Sequence, residues 1–154
     1  MPTQIIMNCE TGDIQEIELA PLTLAEQKQA LRERINARRD AAFAAGWTVS
    51  GTGTALDGHV LQTRDVEDRT NWLTSQASYS AAVAIGAGAV EDAMFRTAAN
   101  ATITLSYASG LAALLALAGW GKTVMGNSWS LKDAVDAAAD QTALDAIDVE
   151  AGWP

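Results

Sequence analysis

Apolar and polar positions first alternate in two short runs. Gln4-Ile5-Ile6-Met7-Asn8-Cys9 and Ile14-Gln15-Glu16-Ile17-Glu18-Leu19 flank Glu10-Thr11-Gly12-Asp13, whose glycine can take φ > 0, and the pattern predicts a β-hairpin over residues 1–20. A lone two-stranded hairpin is marginal in water, so Ile5, Ile14 and Ile17 need a surface to lie on, either in their own chain or on a partner. Pro21 closes this unit, and Thr23 followed by Glu26 has the spacing of a capping box. From Leu24 to Ala45 every residue tolerates a helix, and Gly46 stops it. Leu24, Leu31, Ile35 and Ala42 form a narrow stripe. It suits a coiled-coil seam, which would make residues 21–46 a stalk, and equally a helix leaning on its own domain.

Residues 47–154 then read as hairpin, helix, hairpin, helix. Trp47-Thr48-Val49 and His59 to Thr63 flank a Gly/Thr-rich connection, which predicts a second hairpin. Asp65 opens a helix to about Ile85, with Glu67 and Asp68 in its first turn and Trp72 and Leu73 as expected core anchors. Ala93 to Arg96 and Thr102 to Leu105 predict a third hairpin, and Ser106 with Ser109 opens the last long helix. Leu111 to Ala118 is apolar nearly all round and is expected to be buried against other helices or another copy. Gly119, Gly121 and Gly126 each cost about 1 kcal/mol in a helix interior. Four buried leucines at roughly 1.5–3 kcal/mol each outweigh them. The helix is expected to run on through Leu131 and Val135 to Ala138, with Leu144 and Ile147 on a short following turn. The fold class is therefore α+β, mainly α.

Charge divides this plan in two. Lys28, Arg32, Arg34, Arg38 and Arg39 face only Glu33 between positions 28 and 39. From Thr123 onward Lys132 stands alone against Asp133, Asp136, Asp140, Asp145, Asp148 and Glu150. The two segments should meet, within one chain or between copies, with exposed pairs setting orientation more than stability. The net charge of -9 disfavours nucleic acid and anionic lipid surfaces. The uninterrupted apolar run from Leu111 to Trp120 is shorter than the roughly 20 residues of a bilayer span, so no membrane insertion is expected. No basic-then-apolar leader opens the sequence, which predicts synthesis in the cytoplasm without a signal peptide.

Candidate chemistry is sparse. Cys9 is the only cysteine, too few for a thiolate zinc site or an intrachain disulfide. His59, the only histidine, has no second histidine and no cysteine near it in sequence, so it reads as a strand residue before a metal ligand or triad member. Gly51-Thr52-Gly53-Thr54 lacks the Lys-Ser/Thr ending of a phosphate loop. Asp57, Asp65 and Asp68 are the only acids placed for a glycan hydrolase, and helix capping already explains acids at a helix start. No cofactor is expected.

One ordered set of residues is more specific. Arg39 with Gly46-Trp47, Leu61-Gln62-Thr63, Asp65 to Asn71, Phe95-Arg96-Thr97-Ala98 with Asn100, Leu131 to Ala138, Leu144 to Asp148 and Gly152-Trp153-Pro154 follow in turn. Over about residues 28–154 the chain resembles a domain of unknown function encoded among the tail genes of tailed bacteriophages and prophages. Phe95 and Ala99 stand where that family usually has Trp and Asp, so no role is carried over for an aspartate at that turn. The resemblance implies a non-enzymatic virion tail component, at the tip, baseplate or fibre adaptor, and supplies no catalytic residues. The implied partners are hub, baseplate or fibre proteins and sibling copies, a trimer among the arrangements. An assembly chaperone absent from the finished virion is the alternative, and a tail glycan hydrolase a further one. The expected interface residues are Ile5, Ile14, Ile17, Leu24, Leu31, Ile35, Arg38, Trp120, Trp129 and Trp153. Trp153 is the least expected of the tryptophans to find a core of its own.

Overall fold

The computed structural model describes residues 21–154 in full and, of the first twenty, the backbone of two strands. These strands, β1 (Thr3–Met7) and β2 (Ile14–Glu18), pair antiparallel with Ile5 opposite Glu16 and Met7 opposite Ile14. The expected hairpin is therefore present, whereas the turn Glu10 to Asp13, Cys9 and the side chains of Ile5, Ile14 and Ile17 lie outside the described residues. The chain continues with α1 (Leu24–Ala45), β3 (Trp47–Thr48), β4 (Val60–Leu61), α2 (Val66–Ala84), β5 (Glu91–Arg96), β6 (Thr102–Ser106), α3 (Tyr107–Ala137) and α4 (Gln141–Asp145). The fold is α+β and mainly helical, with three separate two-stranded sheets among the described residues.

Each helix begins where a side chain can satisfy its free amides. The Thr23 hydroxyl accepts from the Glu26 N–H at 3.3 Å while the Glu26 carboxylate accepts from the Thr23 N–H at 2.7 Å, completing the capping box of α1. Asp65, Ser106 and Asp140 cap α2, α3 and α4 with a side-chain oxygen that accepts from the N–H of Asp68, Ser109 and Ala143 respectively. Gly46 ends α1 with φ +82°, and a Cβ there would meet the Leu61 carbonyl at 2.6 Å, so only glycine lets α1 turn directly into β3.

Two apolar cores share α3. The larger gathers Trp47, Val49, Leu56 and Leu61 from the β3–β4 unit, Tyr79 from α2, Ala93 and Phe95 from β5, and Ala113, Leu114 and Leu117 from α3. The smaller joins Ile35 of α1 to Val135 and Ala138 at the far end of α3, Leu144 on α4 and Val149 beyond it, with Leu24, Leu31, Leu131, Ile147 and Trp153 at its edge. Of the two readings of the stripe in residues 21–46, this second core agrees with a helix leaning on its own domain. The 31-residue α3 reaches far enough past the first core to offer α1 an internal partner. The stripe of Leu24, Leu31 and Ile35 is spent there, and Ile35 is completely buried.

Gly110 sits where α3 crosses β5. A Cβ at that position would lie 2.6 Å from the Ala93 Cβ and 3.3 Å from the rings of Phe95 and Tyr79, and the Ala93 methyl cannot swing aside. Gly119 and Gly126 on the same helix would meet nothing within 4 Å. Gly110→Ala is thus expected to destabilise by about 1–3 kcal/mol, overpacking outweighing the roughly 1 kcal/mol gained in helix propensity. Gly119→Ala should stabilise by up to about 1 kcal/mol. Urea unfolding of both variants checks the contrast, and equal signs would remove it.

Candidate functional site

A hollow opens on the flank of the larger core. Helix α2 presents Arg69, Trp72, Leu73 and Gln76, and α3 presents Leu114, Leu117, Ala118 and Gly121. Both sets follow i, i+3, i+4, i+7 spacing, so two helical rows face each other. Phe43 at the end of α1, Thr63 after β4 and Trp120 close the remaining sides around about 220 Å³.

The walls are fixed by hydrogen-bond donors and ring contacts. The Trp72 indole donates to the Gln62 carbonyl at 2.6 Å and its ring stacks on Phe95 at 5.8 Å. The Thr63 hydroxyl donates to the Phe43 carbonyl at 2.6 Å, tying the end of α1 to the approach of α2. Trp120 meets Phe43 edge-on at 5.6 Å. Arg69 donates from Nη1 to the Thr63 carbonyl at 3.1 Å, with its guanidinium carbon 6.0 Å from the Phe43 ring centre. The neighbouring acid does not use Arg69 up. Asp68 pairs with Arg64 at 3.1 Å, and that hydrogen bond is the main cause holding its carboxyl below the ordinary carboxylate range.

Among the lining residues Arg69 is the one charge, and none is a carboxylate, histidine or cysteine. Such a hollow suits binding an apolar body beside an anion. Leu73, expected as a core anchor, is 65% exposed at its mouth, because α2 turns Trp72 and Tyr79 inward and leaves the adjacent row outside. Periodicity within α2 alone could not tell which row meets α3.

The other expected interface residues divide sharply. The basic helix and the acidic tail do meet, within the one chain. Arg32 is ion-paired with Asp136, whose carbonyl also accepts from Lys28 Nζ at 3.1 Å, and Arg38 pairs with Glu150 at 3.0 Å. Arg38 lies 5.5 Å from the Trp153 ring centre, and the Trp153 indole donates to the Val149 carbonyl at 2.8 Å. Trp153, expected to find no core, is therefore seated in the second one. Val149 and Leu144 bury beneath α1 and bring the tail with them. Leu24 and Leu31 pack at the edge of that core, and Trp120 is half-buried as the pocket wall.

Trp129 alone of the five tryptophans stands well out of the chain, 57% exposed on α3, with Leu115 two heptads earlier at 54%. Leu115 shows that the burial expected for the turns from Leu111 to Ala118 is met within the chain on one side only: α1 and α2 pack on that side of α3, and among the described residues nothing covers Leu115. By length and composition α3 could cross a membrane. Its most apolar window has mean hydropathy 1.3, with 28% of that window buried inside the chain.

The three acids considered for a hydrolase each hold local backbone. Asp65 accepts from the Asp68 N–H at 2.8 Å, and Asp68 accepts from the Arg64 N–H at 3.1 Å. Asp57 accepts from the Thr52 hydroxyl at 2.7 Å and from the Thr52 and Gly53 amides at 3.0 and 2.9 Å. The Thr52 hydroxyl is the largest cause lowering the Asp57 carboxyl below its usual 3.8, followed by the Thr52 amide. A depressed carboxyl contributes stability above its unfolded value and loses it as pH falls through the folded one. Asp57→Asn should accordingly lower the melting temperature at pH 7, and the gap from the parent should begin to narrow below about pH 3.8 and go on narrowing as pH falls through the folded value. Thermal melts at pH 7 and at steps below pH 3.8 test it; a gap that does not narrow with acid would assign the loss to something other than the charge.

No curated protein and no solved structure is significantly similar to the chain. The family model described as Domain of unknown function (DUF4376) matches residues 26–151, from the first turn of α1 to the tail that seats Trp153, and the chain belongs to that family.

Proposed function

We propose that this chain is a non-enzymatic structural component of a phage virion tail, at the tip, baseplate or fibre adaptor, acting through protein–protein contacts. The observation that carries the reading is the outward face of α3, where Leu115 and Trp129 stand in water on one side of a helix whose other side is packed. A water-exposed tryptophan aligned with a leucine is the composition of an interface anchor. The ordered residues resembling phage tail genes supply the setting, and the acids engaged in backbone clamps leave a tail glycan hydrolase as the weaker alternative. An assembly chaperone that leaves before the particle is finished uses the same surfaces.

Virions purified through a density gradient from a phage encoding the chain separate these readings. The structural reading expects the protein in washed particles at a fixed ratio to the major tail protein. Its presence in the lysate and absence from the particles would overturn it in favour of the chaperone.

A further inference from the structure

We propose that the hollow between α2 and α3 seats a single aromatic side chain of a partner polypeptide, with the carboxylate of an adjacent Asp or Glu of that partner received by Arg69. The inference deepens the reading of the chain as an interaction module by naming the chemistry of what it holds.

Size comes first. Pockets for drug-sized ligands and cofactors run to about 300–1,000 Å³, whereas this one offers about 220 Å³. That space takes one large side chain and little else. The lining then selects the type of side chain. Phe43 and Trp120 present an edge-to-face pair at 5.6 Å, Leu114 and Leu117 form the floor, and an inserted ring would find both ring edges and methyl groups to pack on.

Charge selects what lies next to it. Arg69 gives one donor to the Thr63 carbonyl and forms no ion pair among the described residues. Its remaining N–H groups can take a carboxylate in the forked geometry that guanidinium favours. Gln76, seven residues along the same row of α2, has a side-chain amide with no hydrogen bond among the described residues, and it can hold the partner's backbone. The chain already fills one seat of this chemistry from within, since Trp153 docks beneath Arg38 at 5.5 Å. The seat beside Arg69 is left open.

Three capped tetrapeptides test the inference on the full chain, followed by NMR of the Trp72 and Trp120 indole N–H signals. The first carries phenylalanine followed by glutamate between alanines, the second replaces the glutamate with glutamine, and the third replaces the phenylalanine with alanine. The expected result is saturable movement of both indole signals by the first peptide, at least about threefold weaker binding of the second, and no movement with the third. Arg69→Gln, at an exposed position, should abolish the preference for glutamate over glutamine while the other signals keep their parent positions. Equal binding of the first two peptides by the parent, or an undiminished preference in Arg69→Gln, would overturn the assignment. Binding of 3-phenylpropionate as tight as that of the first peptide would overturn the polypeptide occupant in favour of a small aromatic acid. The peptide assay and the virion assay fail independently, since one reads the hollow and the other the location of the whole chain.

Discussion

Phe95→Ala is expected to cost about 3–5 kcal/mol and to leave a chain folded only in part. Phe95 is fully buried, stacks on Trp72 at 5.8 Å and meets Tyr79 at 6.0 Å. It stands on β5 opposite Ile103, so its ring is the point at which the third hairpin, α2 and α3 touch. Truncation removes the ring's transfer energy and leaves a cavity, because the strand pairing and the Tyr79 hydroxyl, which donates to the Met94 carbonyl at 3.0 Å, keep the walls from collapsing inward. A domain has about 5–15 kcal/mol in all, so this one change takes a large share. Loss of the Trp72 contact should also loosen the wall of the Arg69 hollow. Chemical unfolding followed by tryptophan fluorescence measures the cost, and a loss under about 1 kcal/mol would mean that Phe95 is not the hub of this core.

Local signals in the sequence proved legible because the forces behind them act over three or four residues. Thr23 with Glu26, Asp65 before the acids of α2, and Ser106 with Ser109 mark helix starts through side-chain bonds to nearby amides, and each is found where the spacing puts it. The glycine stop at Gly46 belongs to the same class. The opposite charges of α1 and the tail were legible at long range because charge needs only a count of residues, whatever the path of the chain. What could not be read is which way an apolar row faces. Leu24, Leu31 and Ile35 fit a seam between copies as well as the seat they take against Val135 and Leu144. Leu73 and Trp72 sit side by side in sequence and part company at the surface. The hollow beside Arg69 escaped for the same reason. Its signal, the i, i+3, i+4, i+7 row repeated at 69–76 and 114–121, gains meaning only when two rows are known to face each other. Trp153 was misplaced because its partners, Arg38 and Val149, are brought together by the return of the tail across α1.

Ile35→Ala is the second large effect, about 2–5 kcal/mol, and it decides what α1 is. In the fold Ile35 has no exposure and joins Val135, Ala138, Leu144 and Val149, residues from α3, α4 and the tail. If α1 is part of this domain, the loss appears in the unfolding of the chain at any protein concentration. It should also be shared with Val135→Ala, since the two side chains belong to one packed core and the double variant should cost less than the sum of the singles. If α1 is instead a seam between copies, the same substitution shifts the concentration dependence of assembly and leaves the unfolding of the isolated chain nearly unchanged. The ion pairs alongside cannot substitute for the apolar contact. Arg38 with Glu150 is exposed enough to contribute at most about 1 kcal/mol, so it orients the tail over Trp153 without holding the helix down. Denaturation of Ile35→Ala, Val135→Ala and the double variant at two protein concentrations a hundredfold apart reads both outcomes. Midpoints that move with concentration would return α1 to the role of a stalk.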